Sequence, residues 1–473
     1  MRPASRPFIL GLLTALLSLP ASALLPPAAP AASAADDPPL AQTETSLTVE
    51  RSHADTEARV VVTVETADGV PVDAAPVAFE RRVEGQWRVD AELVTDADGV
   101  AEVRTTLVRA VADNVFRASY AGDATRAGSS SGSVAGLLRR RDAVLELDGP
   151  ASVVDGRSAT LEVLSRTRTG DPVRGDVQVL RREAGDEWRR FRTVTTGAEG
   201  RSQLRVRPRV DTRWRAVAEG QSWVRRARSE VLRVDNLPPV EPVRLPGGAP
   251  APRIELPPQP RGTGRGAHPV VTTIPDGVWA SMVGRSWHAG CPVGREGLRL
   301  LRVNYWGFDG YRHRGEVVAA TTAVGAMSRA LVGLYDARLP LRSLYRVDRF
   351  GWSRRLQGAD DHASMAADNS SAFNCRQVVN RPGVRSPHSY GGSLDLNPWE
   401  NPYRSATGLV PNGWWHDRTH PRVAWRSSAH AVVQVLARAG LRWTYGTGDS
   451  HHFDVVGSGR ALPPRRCGGA VCH

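Results

Sequence analysis

Ser386-Pro387-His388-Ser389-Tyr390-Gly391-Gly392-Ser393-Leu394-Asp395-Leu396-Asn397-Pro398 is the stretch on which the reading of this chain turns. Gly391-Gly392 permits a sharp reversal after His388, because glycine tolerates positive φ. Ser393 to Asn397 then alternates polar and apolar, the period of a half-buried strand. On such a strand Leu394 and Leu396 face a core while Asp395 faces the other side. A histidine before the turn and an aspartate after it can therefore converge. Further along stands Asp449-Ser450-His451-His452-Phe453-Asp454. Two imidazoles and a carboxylate can hold a metal, and a spare carboxylate can work on a water. These are the components of a hydrolytic zinc centre.

The approach to the second segment reads as a helix and then a strand. Ser427 or Ser428 is the expected N-cap, Val432, Val435, Leu436 and Ala439 share one helical face, and Gly440 follows the end. Leu441, Trp443 and Tyr445 alternate as a strand, and a turn containing Gly446 and Gly448 delivers Asp449 and His452. Nothing in the sequence itself brings the two segments together.

These residues resemble the zinc D-alanyl-D-alanine carboxypeptidases and L-alanyl-D-glutamate peptidases that trim bacterial peptidoglycan. The family pattern is S-x-H-x-x-G-x-x-x-D followed by an acidic residue three before a final His, matched here by His388, Asp395, Asp449 and His452. The resemblance runs from Trp279 to Val456, through Ser286-Trp287-His288, Phe308-Asp309, the stretch from Asp368 to Arg376, and Asn397 to Tyr403. It implies that His388, Asp395 and His452 ligate Zn²⁺ and leave a fourth position for water. It implies Asp449 as general base, passing its proton on to the leaving amine. Arg376 would hold the scissile carbonyl oxygen or a substrate carboxylate, and Ser371 would touch substrate. Four cysteines allow three pairings. Cys291 and Cys375 both fall in family-like segments, so the resemblance implies a Cys291–Cys375 disulfide, with Cys467–Cys472 closing a tail loop.

His451 and His452 are neighbours, so on one strand they point to opposite faces and only one can be a ligand. The family register selects His452 and leaves His451 behind the ligands or at the rim. Asp454 shares the face of His452; it either orients an imidazole or is an ordinary solvated carboxylate.

Arg2 and Arg6 precede an apolar run from Phe8 to Leu19, followed by Pro20 and small residues. This reads as a signal peptide over residues 1–34, with Ala32-Ser33-Ala34 or Ala21-Ser22-Ala23 as cleavage site, and the run is too short to span a bilayer comfortably. The expected product is secreted to the bacterial cell wall with no membrane anchor. The net charge is +13, and all 62 basic residues are arginine. An exported chain rarely meets nucleic acid, so the expected partners are peptidoglycan stem peptides and anionic wall polymers.

Upstream, Trp87 and Trp188, Gly99 and Gly200, and Phe116-Arg117-Ala118 and Trp214-Arg215-Ala216 recur in the same order. Each copy reads as short alternating strands, the pattern of an immunoglobulin-like β-sandwich, over 43–137 and 142–235. The copies resemble bacterial Ig-like repeats and would serve as spacers or wall binders. Residues 237–269 are rich in proline and read as an extended arm of ~3.1 Å per residue. The expected architecture is two all-β sandwiches, this linker, and an α+β zinc peptidase domain over 270–473 with a small antiparallel sheet, in a monomer. D-Ala-D-Ala carboxypeptidase action is the first choice. The alternatives are L-Ala-D-Glu endopeptidase action and a non-catalytic wall-binding protein.

Overall fold

A computed structural model describes residues 39–378, 381–405, 407–458, 462, 465–467 and 470–472. The expected signal peptide over 1–34 lies outside the described residues. The chain forms two compact units, one ending at Arg139 and the other beginning at Arg140.

The first unit is one β module. Strands Thr43–Val49, Thr56–Thr66 and Val100–Leu107 make one sheet, while Gln86–Val94, Pro76–Val83, Val115–Gly122 and Ala127–Ser130 make a second. Alternation along Thr56–Thr66 buries Val60, Val62 and Val64 completely. Across from them Phe79 and Phe116 stack 5.4 Å apart, so the inner faces of both sheets share one core. The second module repeats this within the second unit. Ala143–Asp148, Ala159–Thr167 and Arg201–Val206 form one sheet, and Gly175–Glu183 and Thr212–Ala218 lie side by side in the other. Its core holds Leu161, Val163, Val179 and Trp214.

The proline-rich segment differs from the free arm its composition suggests. Val243 N–H donates to Phe308 O (2.8 Å), Arg253 N–H to Ala366 O (2.8 Å) and Gly262 N–H to Arg312 O (2.7 Å). Buried Gln259 accepts from Leu344 N–H and from the Tyr305 hydroxyl, and donates to Leu344 O. Proline removes donors from its own nitrogen and forbids helix. It does not stop neighbouring residues from bonding to another surface, and here the segment is a strap along the C-terminal domain.

That domain packs the hairpin Leu298–Trp306/Arg312–Ala320 and helix Val324–Asp336 around Leu301, Val303, Met327 and Leu331. A three-stranded antiparallel sheet carries the site: Ser393–Asp395, His452–Val455 and Leu441–Arg442. Leu394 and Leu396 are fully buried in the shared core, as the alternation requires. Helix Ala431–Arg438 buries Val432, Val435 and Leu436 beneath this sheet. Its cap is His430, whose ring accepts from Val432 N–H (3.2 Å), and not the serines before it. Ser427 instead accepts from Ala429 N–H in the preceding turn. The strand expected from Leu441 onward ends at Arg442.

Candidate metal centre

His388 sits in a short 3₁₀ turn, Pro387–Tyr390, that ends at Gly391 with φ +71°. A Cβ at Gly391 would come within 2.6 Å of Ala320 N, so this reversal requires glycine both for its backbone angle and for its space. Two residues on, Ser393–Asp395 pairs with His452–Val455 so that Asp395 lies directly opposite His452 and Ser393 opposite Asp454. The pairing is what unites the two sequence segments.

Three donor atoms meet at the point so defined. His388 Nε2 and His452 Nδ1 are 3.1 Å apart. Asp395 Oδ1 lies 3.0 Å from His452 Nδ1, and Oδ2 lies 3.1 Å from His388 Nε2. The far side of each ring is occupied. His388 Nδ1–H donates to Ala372 O (2.6 Å), and His452 Nε2–H donates to Asp454 Oδ1 (3.1 Å). Each imidazole therefore turns a lone pair inward, toward a carboxylate and toward the other ring. Such an arrangement repels itself unless a cation or proton lies between the donors. The edge of a tetrahedron around Zn²⁺ with bonds of 2.0–2.1 Å is about 3.3 Å, close to these separations. The donor set fits a metal ion.

The electrostatics agree. Burial disfavours charge on His452, yet the Asp454 and Asp395 carboxylates outweigh it and lift its pKa well above the ordinary histidine value. Burial would raise Asp395, but His388 and His451 hold it well below the usual carboxylate range. Asp454 is likewise held low despite burial, by His452 and by hydroxyl bonds from Ser393 (2.6 Å) and Thr444 (2.7 Å). Asp454 thus fixes the tautomer and orientation of His452 from behind.

His451 precedes the strand, so strict alternation does not govern it. Its Nδ1–H donates to Asn401 O (2.7 Å), and its Nε2 enters the same pocket, 3.3 Å from Asp449 Oδ1 and 3.8 Å from Asp395 Oδ2. The expectation that the two histidines face opposite ways is corrected on this ground. Asp449 and Arg376 also line the pocket. Arg376 is nearly buried and bound: Nη2 to Asp361 Oδ2 (2.7 Å) and Nη1 to Gln377 O (3.1 Å). Ser371 exchanges backbone hydrogen bonds with Asp395 (3.0 and 2.8 Å) and is not among the pocket-lining residues, so it steadies the strand of Asp395 from alongside.

Cys291 and Cys375 form a disulfide next to Arg376. The side chains of Cys467 and Cys472 lie outside those described; their backbones belong to a paired hairpin. Asp361 and Tyr403 are among the pocket residues that carry no role in the sequence reading. Asp361 sits at the start of the short helix Asp361–Ala366, on whose last turn the strap residues Arg253 and Ile254 hydrogen-bond. Tyr403 follows Asn401-Pro402 and is backbone-bridged to Asp449. The Asp360-Asp361 pair at a helix start was a visible cue for the first; only burial distinguishes the second.

A buried His/Asp/His cluster able to hold a metal ion, with a further carboxylate and an arginine lining the same pocket, is an arrangement suited to hydrolysis. Residues 380–455 match the family model of D-alanyl-D-alanine carboxypeptidases. The match contains the metal-site residues, Asp449 and Tyr403, and it supports a peptidase domain in the C-terminal part of the chain. It is narrower than the resemblance from Trp279 onward. None of the curated proteins matches the chain. Among solved structures, the crystal structure of a tetra-tandem repeat in the extending region of a large adhesion protein is 14% identical, covering 59% of this chain and 74% of that one. Its TM-score of 0.29 carries no argument.

Proposed function

We propose that the protein is an exported zinc peptidase that hydrolyses stem peptides of bacterial peptidoglycan, with removal of the terminal D-alanine as its first activity. The convergence of His388 Nε2, His452 Nδ1 and Asp395 within 3.1 Å carries this reading. These three residues would hold a zinc ion, which when bound would supply Lewis acidity and lower the pKa of a water toward neutrality. Asp449 takes the proton of the attacking water as its oxygen bonds to the carbonyl carbon. The C–N bond then breaks, and Asp449 returns the proton to the leaving amine. Asp361 aims Arg376 at the pocket. We read the two modules as immunoglobulin-like spacers that carry the enzyme in the wall.

The test is mass spectrometry of peptidoglycan fragments after incubation with the zinc-loaded protein, beside Asp449→Ala. Loss of one alanine from pentapeptide stems supports the carboxypeptidase, and a cut between L-Ala and D-Glu supports the endopeptidase. The variant is expected to be slower by about 10²–10⁴-fold. No cleavage by zinc-bound wild type would leave the non-catalytic wall-binding reading.

A further inference from the structure

Around the pocket, buried Arg376 Nε, Tyr403 Oη and Asp449 Oδ1 lack a hydrogen-bond partner among the described residues, although Asp449 Oδ1 lies 3.3 Å from His451 Nε2. A buried polar atom left so costs about 1–3 kcal/mol, and three around one cavity mark where a bound molecule completes the bonding. Two are donors and one is an acceptor. The acceptor belongs to the proposed base. Of the donors, Arg376 has its terminal nitrogens committed to Asp361 and Gln377, which leaves Nε–H toward the pocket. Tyr403 is 5% exposed, its ring packs edge-on against His451 at 5.7 Å, and its backbone bridges Asp449. Burial lifts its pKa well above that of an ordinary tyrosine, so the hydroxyl keeps its hydrogen.

Resting on the peptidase reading above, we propose that Tyr403 is a catalytic residue that donates its hydroxyl hydrogen to the substrate carbonyl oxygen, beside Arg376 Nε–H. As the water oxygen bonds to carbon, the carbonyl π pair moves onto that oxygen, which then accepts both hydrogen bonds. When the C–N bond breaks, the pair returns and the proton held by Asp449 leaves with the amine. Preorganised donors of this kind matter most once charge has developed.

Tyr403→Phe removes only the unpartnered hydroxyl. The full zinc-loaded chain carrying it is expected to keep its zinc content, keep or raise its Tm, and keep KM. Its kcat should fall by about 10²-fold, and its affinity for a phosphinate dipeptide that mimics the tetrahedral state should fall in parallel. A variant with wild-type kcat and wild-type phosphinate affinity overturns the role of Tyr403 and leaves the peptidase reading standing. A wild type that cleaves no stem peptide overturns both.

A second inference comes from the repeated modules. In the first, Arg117 lies opposite Glu80 across two strands, bonds it through Nε and Nη2 (2.5 and 2.8 Å), and stacks over Trp87 at 4.5 Å. In the second, Arg215 holds the same place opposite Leu180, over Trp188 at 4.8 Å, with its buried Nε unpartnered among the described residues. Arg182 covers Trp188 at 5.0 Å and faces Arg213 across the strands. Among the described residues no carboxylate pairs with Arg182, Arg213 or Arg215, although Glu183 pairs with Arg181 and Asp235 with Arg233 nearby. Nine arginines stand against sixteen acidic residues over 43–137, but nineteen against fifteen over 142–235.

Like charges facing each other on adjacent strands are unfavourable alone and favourable with an anion between them. We infer that this sheet face of the second module binds a linear phosphodiester polyanion of the cell wall. The probe is poly(glycerol phosphate), titrated against the full chain and against Arg182→Gln/Arg213→Gln. Wild type should bind with affinity that falls steeply with salt, and the double variant should bind at least tenfold more weakly with a shallower salt slope. Equal binding by both proteins, no binding at 50 mM salt, or tighter binding of duplex DNA through the same arginines overturns it.

Discussion

Two clusters of buried charge lie in the catalytic domain, and they are built to opposite ends. Around Arg342, Nε binds Asp368 Oδ2 (2.7 Å) and Nη2 binds Glu400 Oε1 (2.8 Å), with both acids fully buried. One guanidinium cannot neutralise two carboxylates in a dry site. Burial and the nearby Asp368 therefore push the Glu400 pKa well above the usual range, against the pull of Arg342. The proton completes that cluster. At His388, Asp395 and His452 the lone pairs face one another and the cluster opens to a pocket, through which a cation can enter to complete it. The first arrangement is structural and the second is chemical, although both gather buried ionisable side chains.

The largest test of this contrast is His388→Ala, which should abolish zinc binding and reduce activity to that of chelator-treated wild type, measured by metal analysis and peptide release. Arg342→Met should do the reverse. It strands buried acids, costs about 3–5 kcal/mol in denaturant unfolding, and leaves zinc stoichiometry intact in whatever fraction folds. Asp454→Asn weakens the brace behind His452, so zinc affinity should fall by about 10–100-fold in a competition titration.

The smallest effect belongs to Glu400→Gln. A carboxyl whose folded pKa is raised contributes stability in full below its unfolded pKa, and that contribution is lost as pH rises through the folded value. Glutamine imitates the protonated form. The variant should match wild type within about 1 kcal/mol at acidic pH and be the more stable one on the alkaline side, in denaturant melts across pH. A variant that stays less stable at every pH would show that Glu400 is needed as a charge, and the contrast between the clusters would fail.

The site was legible to different depths. His388, Asp395, Asp449 and His452 were marked by their resemblance to a family pattern, which is legible because its spacing is local, with turn glycine and strand alternation beside it. Leu394 and Leu396 followed the same rule into the core. His451 was set outside the ligands, but its facing was misread because alternation was applied one residue before the strand begins. Asp361 and Tyr403 went unassigned because an aspartate at a helix start and a tyrosine after proline have ordinary structural uses. Ser371 was given a role through its neighbourhood to Arg376 in sequence, while the fold pairs its backbone with Asp395. The proline-rich strap was misjudged because composition reports which bonds a segment cannot make within itself, and says nothing of the surface it lies on.

By itself the sequence determined the donor inventory, the repeated β modules with their alternating cores, and the glycine reversal, all of which depend on residues close together along the chain. Only the tertiary structure decided that Asp395 stands opposite His452, that Asp361 commits one side of Arg376, and that the Tyr403 hydroxyl, at the pocket, has no hydrogen-bond partner among the described residues. Those facts depend on strand register and on which buried polar atoms are left unbonded, and both are set by contacts between residues far apart in the chain.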